Sequence, residues 1–128
     1  KELIDFAKNE IQDVLMNVRS VNYVMLCSTD GFELAHVYKK DGYNSTKLAA
    51  VSSSILAMVA AFMNEIHLEG CQSITLDADN GKAILTSIPS SQHPMIIVTL
   101  TEKDVLLGQL LYTLKNASSR IMAYWDHL

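Results

Sequence analysis

From Leu48 to Asn64 the chain carries no charged residue, although alanine, serine and large apolar side chains alternate there at helical spacing. That stretch constrains the fold more than any other. It is shorter than the ~20 apolar residues a bilayer span needs, and Ser52, Ser53 and Ser54 interrupt it. A helix shielded by protein on more than one side is therefore expected, with no membrane insertion. At about 100° per residue, Leu48, Val51, Ile55, Val59, Phe62 and Ile66 share one face, suited to lying on a sheet. The opposite face holds Ala50, Ser53, Ser54, Ala57, Ala61 and Asn64. Small residues at that spacing let another helix approach closely. The first choice of occupant is the same helix of a second copy, in a twofold interface. The competing readings are cover by another helix of the same chain, or an exposed Ala/Ser surface set by helix propensity alone.

The rest of the chain supplies the sheet. The apolar positions Leu3, Ile4, Ala7, Ile11, Val14, Leu15 and Val18 predict an amphipathic first helix over about 2–18. Two strands, 21–28 and 32–38, flank Asp30-Gly31, a strong hairpin signal because the turn needs positive φ. Asn44 or Ser45 can cap the long helix, predicted over about 46–68 with Gly70 as its stop. Strands follow at 71–77, 81–88 and 95–100, the last a continuous apolar run expected of a central strand buried on both faces. Thr101 to Asp104 resembles a capping box opening a final helix over about 102–122. Gly108 inside that helix suggests close approach by another element. Tyr124 and Trp125 either pack on the domain or form a docking tail.

The order α-β-β-α-β-β-β-α implies a single α/β domain over 1–128, an α+β sandwich with a five-stranded, mainly antiparallel sheet and helices on both faces. At 128 residues it buries enough surface to fold without metal or disulfide. Apolar residues form 49% of the chain and charged ones 19%, which excludes disorder. The net charge of −4, with signs interspersed, argues against nucleic acid and anionic membranes as partners. Cys27 and Cys71 lie in apolar stretches; reduced thiols of a cytoplasmic protein are favoured over a disulfide of a secreted one. The first residues are amphipathic, unlike a signal peptide, and the lysine start leaves open a trimmed N-terminus.

No catalytic constellation emerges. His36, His67, His93 and His127 stand at no metal-ligand spacing. Asp77 and Asp79 with Asn80-Gly81 superficially resemble a calcium loop, but Ile88 occupies the position of its bidentate glutamate, so a plain turn is expected. The serine run has neither elbow glycines nor a base, and no glycine-rich phosphate loop exists. No cofactor, metal or enzymatic activity is expected.

The order of elements, the hairpin Asp30-Gly31-Phe32-Glu33-Leu34-Ala35, the Ala/Ser-rich long helix and the final amphipathic helix together resemble the roadblock family, the dynein light-chain type. The resemblance covers nearly the whole chain and rests on patterns more than on invariant residues. It implies a profilin-like fold with the long helix on one sheet face and the other two helices on the other. It implies a homodimer built by that helix and by edge-to-edge pairing of the third strand, which brings Cys71, Ser73 and Thr75 into the interface beside Ala50, Ser53, Ser54, Ala57, Ala61 and Asn64. It further implies a non-catalytic regulator or scaffold of a small Ras-like GTPase. A small-molecule-sensing profilin-like or PAS-like domain and a structural subunit of a transport complex are the alternatives.

Overall fold

The computed structural model describes residues 2–127. Its elements are α1 (Glu2–Asn17), β1 (Val21–Ser28), β2 (Glu33–Tyr38), α2 (Ser45–Glu65), β3 (Ser73–Ala78), β4 (Gly81–Ile88), β5 (Met95–Thr101) and α3 (Leu107–Asp126). The order is the one expected. The five strands form one sheet in the order β2-β1-β5-β4-β3, and every neighbouring pair is antiparallel. β5, last in sequence, lies at the centre. Its alternate residues serve both faces, which explains a continuous apolar run where an alternating one would mark a half-solvated strand.

The two faces are covered differently. On one, α1 and α3 pack through Ile11, Leu15, Leu114 and Ile121 onto Val24, Leu26, Ile84 and Ile97. Phe6 of α1 stacks on Tyr124 of α3 at 4.1 Å, and Trp125 packs against this core, so the C-terminal aromatics are structural. On the other face, Leu48, Ala49, Ile55 and Leu56 of α2 rest on Tyr23, Met25, Cys27, Leu85, Ile96 and Val98. Burial pushes the Cys27 thiol up to about 12, so it is an inert core group.

Several local expectations are corrected. Thr101 and Asp104 do not box the final helix. Thr101 ends β5, the Asp104 carboxylate accepts from Ser20 Oγ at 2.8 Å, and α3 starts at Leu107 with no side-chain cap. Asp104 is spent tying the connection to the turn after α1, and the Thr101 hydroxyl donates to the Glu102 carbonyl at 2.8 Å. Gly108 has open space where a Cβ would stand, so no element among the described residues approaches it. The close approach falls instead at Gly81, where a Cβ would meet the Thr101 carbonyl oxygen at 2.6 Å. α2 stops at Glu65, before Gly70, because His67 takes φ 62° and its N–H and that of Leu68 donate to the Asn64 and Met63 carbonyls. The chain then needs several residues to reach register, and β3 begins only where Ser73 pairs with Thr86.

Candidate interaction surface

α2 is set in place at three points. Asn44 Oδ1 accepts from the Lys47 N–H at 3.0 Å, capping the first turn as its type predicts. Ser45 Oγ and the Tyr23 hydroxyl are hydrogen-bonded, fixing that end over β1. Ser53 Oγ donates to the Thr29 carbonyl in the β1–β2 turn. There Gly31 takes φ 95°, and a Cβ on it would stand 3.4 Å from Ala50 Cα. The hairpin glycine thus serves two needs, the positive φ and the passage of α2.

With this seating the sheet side of α2 is the line Ala49, Ser52, Leu56, Val59 and Met63, flanked by Leu48 and Ile55. Of the face expected on the sheet, Leu48, Ile55 and Val59 are partly buried. Val51, Phe62 and Ile66 are not: they are 47%, 65% and 47% exposed. The helix is apolar nearly all round, so its spacing is compatible with this line as well as with the stripe expected on the sheet. The hydrogen bond from Ser53 and the close fit at Gly31 select between them, and neither contact is visible in a helical wheel.

The small residues do lie away from the sheet. Ala50, Ser54, Ala57, Ala61 and Asn64 are exposed, and Ser53 is half-buried at the edge of the stripe. Ser54 Oγ is returned to its own helix through the Ala50 carbonyl at 3.2 Å. The large residues beside them are the ones sequence reasoning missed: Met58 is 72% exposed, next to Phe62 and Val51. The outward surface of α2 is therefore a continuous apolar field with charges only near its ends, at Lys47 and Glu65. By length and composition α2 could cross a bilayer; here it lies along the sheet, with both ends capped.

β3 is the sheet edge nearest in kind to this field. Its outer side has no strand neighbour among the described residues, and Ser73, Thr75 and Leu76 are exposed. Leu76 shares the α2 face of the sheet with Ile74, which packs in the α2-side core. Cys71 lies before the strand, half-buried, with Sγ 3.7 Å from the Ser73 carbonyl. Asp77, far from forming a cation loop, accepts from Lys82 Nζ at 2.6 Å and Lys103 Nζ at 2.5 Å. These two lysines hold its carboxyl down at about 2. Among the described residues no three His, Cys, Asp or Glu side chains are grouped to hold a metal.

The arrangement has known counterparts. MglB of Myxococcus xanthus superposes with a TM-score of 0.81 at 14% identity, covering 100% of this chain and 98% of that one. The gliding protein MglB of Thermus thermophilus gives 0.86 at 15% identity, with 100% and 94% covered. Profilin IA of Acanthamoeba castellanii is similar at a TM-score of 0.53 and 16% identity, over 91% and 97%. At these identities the likeness concerns the fold. No curated protein sequence matches significantly. The model of the Roadblock/LC7 domain matches residues 7–106, from α1 through the whole sheet, and the chain belongs to that family.

Proposed function

We propose that this chain is a non-catalytic, homodimeric interaction module that regulates or scaffolds a small Ras-like GTPase in the cytoplasm. The observation that carries the reading is the unshielded apolar field of α2 lying on the same sheet face as the open edge of β3. Burying one large apolar side chain is worth roughly 1.5–3 kcal/mol, so Val51, Met58 and Phe62 left in water represent binding energy not yet used. A twofold copy placed along β3 would cover Phe62, Val51 and Leu76 together and satisfy the edge N–H and C=O groups. The small stripe Ala50, Ser54, Ala57 and Ala61 would remain outermost, a flat platform for a second protein. Cys71, Ser73 and Thr75 would belong to the seam, and Asn64 to its border.

Roadblock/LC7 membership and MglB-like structural neighbours support a GTPase-regulating or scaffolding role. α2 carries no arginine that could enter a nucleotide site. Arg120 is engaged through Nε with Glu10 at 2.8 Å on the opposite face, and Arg19 follows α1 there. Any stimulation of hydrolysis would act by ordering the GTPase's own residues.

Light scattering at micromolar concentration should report two chains per particle, and Phe62→Asp should report one. Purified Ras-like GTPases from the same genome, loaded with GDP or a GTP analogue, should then be mixed with the wild type. Binding of at least one is expected. A wild-type monomer, or no co-elution and no change in hydrolysis with any candidate, would remove the proposal.

A further inference from the structure

Because β3 starts late, the sheet is one strand narrower at one corner. β4 runs on to Ile88, but its last residue paired with β3 is Thr86, opposite Ser73; beyond it only the Ser87 N–H reaches across, to the Gln72 carbonyl at 3.0 Å. Through that notch the C-terminal half of α2 and the outer flank of α3, which elsewhere lie on opposite sides of the sheet, line one common groove of about 640 Å³. That volume falls within the ~300–1,000 Å³ of small-molecule sites.

Its chemistry is lopsided. Leu56 and Ala60 from α2, Pro89, and Leu111 and Met122 from α3 supply an apolar lining. Lys115 is the one charged group in the lining among the described residues, with no carboxylate beside it there, in a chain whose net charge is −4. Among the described residues Lys115 makes no ion pair. The wall includes Thr86, 6% exposed, whose Oγ1 is buried without a hydrogen-bond partner. Apolar length plus one unpaired cation selects an occupant with a matching anion.

We infer that this notch is a binding site for an elongated apolar molecule bearing a single anionic head group, carboxylate or phosphate. The head lies at Lys115 and the apolar chain runs toward Leu56 and Ala60. Cys71 and Ser73 line this groove and also belong to the proposed dimer seam, so light scattering accompanies each titration. On α2, Ala60 sits on the side of the helix opposite the Phe62 flank, which lets the two be told apart.

Decanoate and decyl phosphate, titrated below their micellar concentrations into the full isotope-labelled chain, test this by amide chemical shifts. Decyltrimethylammonium serves as the control of equal length. The expected result is saturable binding with one molecule per chain and shifts at Leu56, Cys71 and Ser119. Both anions should bind roughly tenfold more tightly than the cation. A stronger response to the phosphate would identify a phosphorylated head group, and a stronger response to decanoate a carboxylate. Lys115→Glu should erase the preference, and Ala60→Trp should weaken both anions by obstructing the groove. Both substitutions are at exposed helix positions, and circular dichroism will confirm folding; if Ala60→Trp fails to fold, Lys115→Glu still decides. Anion and cation binding alike, shifts elsewhere, both folded variants binding as wild type, or occupation only by an acidic peptide would overturn the inference.

Discussion

Two helices, of 16 and 20 residues, cover one face of the sheet and a single helix of 21 covers the other, and the two faces reach opposite ends. Under α1 and α3, the side chains of Ile11, Leu15, Leu110, Leu114 and Ile121 are excluded from solvent almost completely. Under α2, a helix of 21 residues, only Ala49 and Ser52 are fully buried. The first face is finished within the chain, by two helices packed on the sheet and on one another. The second is finished only along one line, and the remaining apolar surface of α2 faces out. The difference teaches that the α1/α3 side holds the fold together, while the α2 side is left open where the proposed partner would be added.

That contrast can be broken by paired substitutions. Leu114→Ala should lower stability by about 2–5 kcal/mol in urea unfolding, because it opens a cavity in a closed core. Phe62→Ala, measured at dilution where the chain is monomeric, should cost no more than about 0.5 kcal/mol, as a surface change does. Equal losses would mean that α2 is part of the same closed core. Asn44→Ala comes next: it removes the acceptor of the Lys47 N–H and should cost about 1 kcal/mol, mainly by loosening the first turn of α2. If stability falls but GTPase binding does not, the N-terminal turn lies outside the platform.

The smallest effect concerns Asp77, where two lysines lock the β3–β4 tip to the connection after β5. The folded-state carboxyl sits at about 2, below its ordinary value of 3.8, so it binds its proton less readily folded than unfolded. Its contribution is complete above the ordinary value and lost as pH falls through about 2. The groups are exposed, so the effect will be modest and weakened by salt. Asp77→Asn should flatten that part of the acid-unfolding curve and leave the neutral-pH melt nearly unchanged. A large loss at neutral pH would show that β3 depends on this clamp.

Element by element, what could be read early was what depends on near neighbours. Asn44 caps α2 because its side chain reaches three residues on, and Gly31 turns the first hairpin because the turn needs positive φ. The small stripe on α2 was likewise legible, since Ala50, Ala57 and Ala61 share a face by spacing alone. The three misjudged capping or packing positions, Thr101, Asp104 and Gly108, failed for one reason. Their partners, or the lack of them, are set by Ser20 and by elements far along the chain.

The sequence by itself determined the kinds, order and approximate bounds of eight elements, the two short hairpins, and a long helix too apolar to stand alone in water. Those follow from side-chain periodicity and backbone preference, which act within a few residues. Only the tertiary structure decided that α2 rotates to turn Phe62 and Val51 outward, and that β3 starts late enough to leave a notch. Each of these depends on contacts between residues distant in sequence. A helix apolar on every side has no local term to choose which side meets the sheet.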